Sequence, residues 1–346
     1  MSRTILSEQS RPQPTNKQKH LFSHPMLLTL IAGMALSLGT IGCKRVHSGT
    51  STKRSSSKKK SKMVFPAFAK KAKNKASSAF WKHWGDGKAE LTGYAGLTPR
   101  YGQMRKATAA LIYVTEPFHR LRRIKDDYAR GAYRIPMLKL NRTLKFKTGI
   151  YPYSVMNSVF SPASQYFHHK FTPLKISLTV QEWCGHVFQA IWPGENQLRT
   201  QIRSYFASEG DKSQLLKVAK DVLYEDALFI QLRELDGPFL SKKKSWKGKL
   251  IPSLWKFRRI HKPVQSVNAS LQRSTVKTAQ GNIQRFVLKY GTYTRTFDVE
   301  SKFPRRILQW TSSEGEKMIL QKTVRLPYWQ LNGNGDQKYR KQMGLP

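Results

Sequence analysis

The segment Glu182-Trp183-Cys184-Gly185-His186 contains the three side-chain types of a nucleophilic site. An imidazole can take the proton of a thiol, and a carboxylate can hold that imidazole in the required orientation. On a strand, residues two apart share a face, so Glu182, Cys184 and His186 are expected to line up. Same-face neighbours lie about 7 Å apart, so a direct Cys184–His186 hydrogen bond requires a bulge, which Gly185 permits. The segment therefore predicts a thiol-dependent or hydrolytic site.

A core strand without catalytic function explains the same residues, and we favour this interpretation. Unpaired cysteine is among the most buried residue types, and neighbouring strands can satisfy Glu182 and His186. The sequence has no phosphate-binding glycine loop, no Gly-x-Ser-x-Gly and no His-Glu-x-x-His. His168 and His169 are adjacent, so on a strand they point to opposite faces and make a poor metal site. We predict no cofactor, and we favour a non-enzymatic protein over an enzyme.

Tryptophan is frequent, with eight residues in the chain. Trp81, Trp84 and Trp183 are the candidates for a binding surface, because indole rings can line a cavity for an amphiphile or a glycan. The alternative is that these rings fill the core of a sheet that few helices cover.

The elements that position these residues are predominantly strands. Residues 88–94 and 107–116 are typical of strands, and residues 176–192 predict one long strand that ends at Pro193-Gly194. Residues 200–207 alternate as its partner. About residues 215–235, apolar side chains recur at helical spacing, which predicts one helix.

The carboxyl-terminal part has the clearest pattern. Four short alternating runs are separated by turn residues, at 283–290, 292–299, 305–311 and 316–324. Such spacing is typical of an antiparallel meander. Residues 264–276 alternate too, which predicts a further strand before it. We therefore expect residues 78–336 to form a mainly β domain with minor α content. Its predicted form is a large curved antiparallel sheet or half-barrel with one packed helix, and a subdivision near 240–248 is an alternative.

The amino-terminal region predicts export. Residues 26–42 form an uncharged apolar stretch that is preceded by basic residues and followed directly by Cys43. Its 17 residues suit a signal-peptide core better than a membrane-spanning helix. The junction Thr40-Ile41-Gly42-Cys43 is similar to a bacterial lipobox, which implies lipidation of Cys43. Two alternatives stay open, namely an uncleaved transmembrane anchor and a true start at Met26.

Low-complexity sequence separates this signal segment from the domain. Residues 44–77 are rich in Lys and Ser, which predicts a disordered basic linker that is attracted to anionic headgroups. Residues 337–346 are expected to form a flexible tail.

Charge restricts the class of partner. The chain has 62 Lys and Arg against 20 Asp and Glu, a net charge of +42. Such a surface attracts polyanions. In a cell envelope these are anionic lipid, lipopolysaccharide or wall polymer, and no specific nucleic acid is expected there. A cytosolic nucleic-acid binder would require the anchor to stay uncleaved.

Several motifs carry a resemblance to a known group of proteins. They are Trp81-Lys82-His83-Trp84-Gly85-Asp86-Gly87, Val114-Thr115-Glu116-Pro117-Phe118, Gln181-Glu182-Trp183-Cys184-Gly185-His186 and Thr311-Ser312-Ser313-Glu314-Gly315-Glu316. Over about residues 80–335 the chain resembles uncharacterised bacterial envelope lipoproteins often labelled "septum formation inhibitor Maf". Residues 278–320 resemble a periplasmic β-domain family of unknown function. True Maf nucleotide pyrophosphatases begin with Ser-x-Ser-Pro-Arg-Arg, whereas this chain has only Phe303-Pro304-Arg305-Arg306, so that activity is rejected.

These observations lead to one functional expectation with one alternative. The leading expectation is a lipid-anchored protein of the outer or inner membrane whose β domain lies in the periplasm. There the domain would bind an anionic or amphiphilic envelope component, or a protein partner. The alternative is a periplasmic thiol-dependent or hydrolytic enzyme that uses Cys184 and His186 with Glu182.

Overall fold

The computed structural model describes residues 65–128, 131, 133–240, 244–279 and 281–346. The signal segment, Cys43 and linker residues 44–64 lie outside the described residues. None of the described helices is long and apolar enough to cross a membrane.

The fold is mainly β, as the sequence predicts, and its strands belong to one sheet. The strands are β1 (Ala89–Arg100), β2 (Gln103–His119), β3 (Ile124–Lys125), β4 (Arg134–Thr148), β5 (Tyr151–Pro162), β6 (Lys175–Glu182), β7 (Gly185–Pro193), β8 (Gln197–Ser204), β9 (Asp211–Lys217), β10 (Leu223–Tyr224), β11 (Ser245–Ile251), β12 (Val267–Thr278), β13 (Gly281–Tyr290), β14 (Tyr293–Glu300), β15 (Ile307–Ser312) and β16 (Lys317–Leu326).

Helices are short. The α-helices are α1 (Ser78–Trp84), α2 (Leu228–Gln231), α3 (Leu254–Arg259) and α4 (Lys338–Gln342). Single 3₁₀ turns cover Glu225–Ala227, Tyr328–Gln330 and Asn334–Gln337.

The sheet runs in the order β10-β11-β12-β13-β14-β15-β16-β1-β2-β4-β5-β6-β7-β8-β9, and β3 pairs with β2. The meander predicted from residue 264 onward is confirmed as strands β12 to β16. Its last strand pairs antiparallel with β1, so β1 lies in the middle of the sheet and joins the two halves of the chain. The described strands on both sides of residues 240–248, where a subdivision was an alternative, belong to the same sheet.

Every strand from β1 to β9 on this path is antiparallel to its neighbour. The turns β1–β2, β4–β5, β6–β7 and β8–β9 therefore lie at the same end of the sheet, and we call this row of four turns the turn edge.

The helix predicted at residues 215–235 is wrong in its extent. Residues 211–217 instead form β9, which pairs along its length with β8, and Leu215 is exposed. Only Glu225–Gln231 is helical, as one 3₁₀ turn followed by α2, and this segment is buried throughout. Pairing with the open edge of β8 outweighs the helical spacing, because helix propensity is a weak preference that tertiary contacts override.

The sheet curves around this buried segment. The Tyr113 hydroxyl of β2 donates to the Phe229 carbonyl at 2.7 Å, while the Phe229 ring meets Phe297 of β14 edge to face at 5.1 Å. Strands several positions apart in the sheet therefore contact the same residue, which requires strong curvature. The sheet is not closed, and β9 and β10 are its edge strands.

Charged side chains lie at the centre of this core. Asp226 accepts hydrogen bonds from Arg142, Asn157, Ser253 and the Leu254 amide, at 2.7–3.2 Å. We call the buried residues Arg142, Glu225, Asp226, Arg295 and Glu316 the central charge cluster. Glu225 accepts from the Tyr290 hydroxyl at 2.8 Å, and Arg295 lies between Glu225 and Glu316.

A separate ion pair joins β1 to the chain beyond α2. Arg233 and Glu90 form two parallel hydrogen bonds, of 2.7 and 3.0 Å, and both side chains are buried. Such bidentate geometry makes charge-assisted hydrogen bonds strong and directional.

Both terminal segments of the domain pack more closely than the sequence predicts. Within the expected linker, Pro66 is buried and its carbonyl accepts from Arg123 at 2.9 Å. Arg123 also donates to the Leu174 carbonyl at 2.6 Å and to the Pro193 carbonyl at 3.3 Å. The ordered domain therefore includes residues from Phe65 onward.

The predicted flexible tail at 337–346 is also wrong. It contains α4, and Met343 and Leu345 are buried against Leu91 of β1. Gly93 allows this approach, since a Cβ there would lie 1.9 Å from the Met343 carbonyl oxygen.

Candidate functional site: a polar cavity at the turn edge

The residues of the predicted nucleophilic site do not share one strand. Residues 176–192 form the hairpin β6–β7, and Trp183 and Cys184 make its turn. Glu182 pairs with Gly185, whereas His186 pairs with Gln181. Glu182 is consequently buried on the inner face while His186 is exposed on the outer face, so the expected alignment is wrong.

Cys184 itself is exposed at the turn edge. Its amide donates to a Glu182 carboxylate oxygen at 2.7 Å. A side-chain hydrogen bond to Glu182, slight burial and the Glu182 charge together raise the pKa of the Cys184 thiol. A catalytic thiol requires a lowered pKa, so this environment works against nucleophilic activation.

The three candidate tryptophans lie in different environments. Trp84 is fully buried in the core, beside Tyr113 and Arg233. Trp81 is half-buried on α1, whereas Trp183 is 69% exposed and stacks on Tyr151 with ring centroids 6.2 Å apart. Trp84 therefore serves the core, and Trp183 belongs to the turn edge.

A cavity of about 210 Å³ lies between strands β7–β9 and the chain that begins at α3. Gln189, Thr200, Lys212 and Gln214 form its sheet wall. The register explains this grouping, because Gln189 pairs with Ile202, which pairs with Lys212, and Thr200 pairs with Gln214. Cross-strand partners share a face, so these polar side chains form a small patch on the inner face.

The opposite wall is built around a carboxylate. Glu209 lies in the β8–β9 turn and is 8% exposed. It accepts from Ser204 at 2.6 Å and from Arg258 at 3.0 Å, and its Oε1 lies 2.8 Å from Nδ1 of His261. The Arg258 guanidinium also lies 4.9 Å from the Phe206 ring. These contacts hold Arg258 and His261 rigidly at the cavity.

Gln189 contributes an unsatisfied polar atom to this cavity. It is 5% exposed, and its Oε1 has no hydrogen-bond partner among the described residues. Nε of Arg258 is likewise buried without a partner. Leaving a buried polar atom unsatisfied costs about 1–3 kcal/mol, so such atoms call for an explanation, and a ligand that bonds to them is one.

The charge of the lining is positive. Lys212, Arg258 and Lys262 line the cavity, and Glu209 is the only carboxylate among its described lining residues. The cavity is also smaller than the 300–1,000 Å³ usual for drug-sized ligands. The arrangement suits a small anion with a hydroxyl or N–H group that can donate to Gln189. The described residues contain no cluster of three potential metal ligands.

A larger depression, of about 760 Å³, lies over β13–β15, but none of its described lining residues has a buried side-chain polar atom without a hydrogen-bond partner. Arg285 donates two hydrogen bonds to Asp298, at 2.7 and 2.8 Å. Because this pair satisfies itself, the depression is a weaker candidate than the cavity at the turn edge.

The sequence itself indicates that Gln189 is unusual for a core position. Gln189 occupies an inward position between Val187 and Ile191, so it interrupts an apolar face. Glu209 and His261 carry no comparable signal, because 52 residues separate them and only the fold brings them together.

Comparison with known proteins identifies no relative: no family model, curated protein or solved structure matches this chain.

Proposed function

We propose that this protein binds a small anionic, hydroxyl-bearing envelope component in the cavity between β7–β9 and α3. The observation that carries the proposal is the unpartnered Oε1 of Gln189, which is buried within a cationic lining. A hydroxyl or N–H of the ligand would donate a hydrogen bond to this oxygen. The anionic group of the ligand would lie among Lys212, Lys262 and the guanidinium of Arg258. Hydrogen bonds to charged groups contribute about 1.5–3 kcal/mol each, which is enough for selective binding.

The cellular setting of this proposal comes from the sequence. We propose that lipidation of Cys43 anchors the chain to the outer or inner membrane and leaves the domain in the periplasm. We also propose that it belongs with the uncharacterised envelope lipoproteins that it resembles. The available anions there are phospholipid headgroups, lipopolysaccharide and wall fragments.

A thiol enzyme at Cys184 has less support. No hydrogen bond joins Cys184 to His186, which lies on the outer face, and Glu182 raises the pKa of the thiol. A nucleophile and its base need to be within hydrogen-bond reach in the functional state.

Calorimetric titration of the full chain tests the binding proposal. The probes are glycerol 1-phosphate and N-acetylmuramic acid, with uncharged glycerol and N-acetylglucosamine as their neutral counterparts. We expect at least one anionic probe to bind and its neutral counterpart to bind far more weakly.

Two lysine variants test whether the anionic probe binds in the cavity. Lys212 and Lys217 are both exposed residues of β9, but only Lys212 lines the cavity. Lys212→Gln is expected to weaken binding about tenfold, which corresponds to about 1.4 kcal/mol, whereas Lys217→Gln should leave it unchanged. Equal losses in both variants would mean non-specific attraction to a basic surface, and the cavity would lose its proposed function.

A further inference from the structure

Each of the four turns at the turn edge carries a large exposed side chain. These are Tyr101 (57% exposed), Ile150 (82%), Trp183 (69%) and Tyr205 (77%). Soluble proteins expose single apolar residues routinely, but here four successive turns do so at one end of the sheet. Such a series is a candidate interaction surface.

The four turns are linked by direct contacts. The Tyr101 and Tyr153 hydroxyls are 2.7 Å apart, and Tyr153 is near Tyr151, which stacks on Trp183. Tyr205 covers Gly185, since a Cβ on Gly185 would lie 2.8 Å from the Tyr205 ring. The turn edge is thus one continuous aromatic surface.

Basic residues flank this surface. Lys145 and Lys147 are exposed at the end of β4, and Arg203, Lys212 and Lys262 are exposed around the β8–β9 turn and the chain after α3. Tyrosine and tryptophan are enriched where a membrane meets water, because each ring has an apolar body and a polar group. Lysine and arginine near such a surface contribute attraction to anionic headgroups.

We propose that the turn edge docks on the surface of an anionic bilayer, with Trp183, Tyr205 and Ile150 inserted among the headgroups. The projecting side chains suit a soft surface, and the basic residues beside them can face lipid phosphates. Lys212 and Lys262 border both this surface and the cavity, whereas Trp183, Tyr205 and Ile150 lie in the turns and do not line the cavity.

The exposed thiol of Cys184 provides a site-specific probe. In the full chain with Cys43→Ser, Cys184 is the single cysteine and can be labelled with the environment-sensitive dye NBD. The labelled protein is mixed with vesicles of phosphatidylglycerol and phosphatidylcholine, or of phosphatidylcholine alone. The control carries Cys43→Ser, Cys184→Ser and Tyr128→Cys, which moves the label to the opposite end of the sheet, where Tyr128 is 74% exposed.

Docking predicts a blue shift and an increase of at least twofold in NBD emission at position 184 with the anionic vesicles, together with quenching by spin-labelled lipid. The label at position 128 should change little. Because the basic amino-terminal region can itself attach the chain to vesicles, a bound protein without a response at position 184 would overturn the proposal. An equal response at both positions would overturn it as well.

A second measurement separates insertion from attraction between charges. In 0.5 M salt, where the Debye length is only about 4 Å, exposed charges are largely screened. The double variant Trp183→Ser, Tyr205→Ser should then partition into anionic vesicles about tenfold less than wild type. The matched variant Tyr128→Ser, Tyr133→Ser removes two exposed rings from the opposite end and should leave partition unchanged. If the Trp183→Ser, Tyr205→Ser variant and wild type partition equally, the proposal is contradicted.

Discussion

The central charge cluster and the cavity at the turn edge are both buried and polar, but their hydrogen bonding differs. In the central charge cluster, Asp226 receives four hydrogen bonds, from Arg142 of β4, Asn157 of β5 and two residues at the start of α3. In the cavity, Gln189 receives none from the described residues. A buried polar group whose hydrogen bonds are made within the protein stabilises the fold, whereas a buried polar group without a partner can bond to a ligand. Oε1 of Glu225 and Nη1 of Arg295 in the cluster also lack a hydrogen-bond partner, but ion pairs hold both groups in place. Asp226 therefore serves the structure, whereas Gln189 is available to a ligand.

The largest expected effect is in the central charge cluster. Asp226→Ala removes the carboxylate that faces Arg142 and leaves that cation buried, which should cost about 3–5 kcal/mol in the free energy of unfolding. Urea denaturation measures this loss. Asp211→Ala is the matched control, because Asp211 is exposed and pairs only with Arg203 at 3.6 Å, and it should change stability by less than about 0.5 kcal/mol.

The next effect appears in the dependence of stability on pH. Burial alone would raise the pKa of Glu90, but Arg233 and His83 outweigh burial and lower it from 4.5 to about 2. Because the folded pKa lies below the unfolded value, the ionised pair stabilises the fold above about pH 4.5. This contribution, about 3 kcal/mol, is lost as the pH falls from 4.5 to 2.

The variant Glu90→Gln isolates that contribution. It is less stable at neutral pH, but between about pH 6 and pH 2 it should lose about 3 kcal/mol less than wild type does. Urea midpoints at a series of pH values measure the difference. Parallel curves for the two proteins would show that Glu90 is not the acid-sensitive group.

The smallest expected change in the free energy of unfolding has opposite signs in the two regions. Gln189→Leu removes an unsatisfied amide, so it should raise the free energy of unfolding by about 1 kcal/mol while it abolishes binding in the cavity. Tyr290→Phe removes a hydroxyl that donates to Glu225, and it should lower stability by about 1.5–3 kcal/mol. Thermal unfolding of both variants is the measurement. A loss of stability in Gln189→Leu would place Gln189 with the structural residues and remove the basis for the binding proposal.

The fold was predictable where alternation and turn residues agree. Strands β12 to β16 show both. No prediction from the sequence covered β4 and β5, although their burial alternates along much of their length. It placed a helix over β9, because the spacing of Leu215 and Ala219 imitates a helix and the open edge of β8 is invisible in a single sequence.

The candidate site was harder to predict, for two physical reasons. A two-residue turn at Trp183-Cys184 reverses the chain, so Glu182 and His186 face opposite sides and the expected constellation does not form. The cavity that does form depends on contacts such as Glu209 with His261. Contacts of that kind arise from sheet curvature, which local sequence patterns do not specify.

The hydrogen bonds of Arg123 determine how the domain bears tension. A pull on the chain before Phe65 reaches Pro66 first, and its carbonyl is held by Arg123. Arg123 also donates to the carbonyl of Leu174, just before β6, and to the carbonyl of Pro193, the last residue of β7. These contacts therefore lie at interior strands that are paired on both sides, and not at the edge strands β9 and β10.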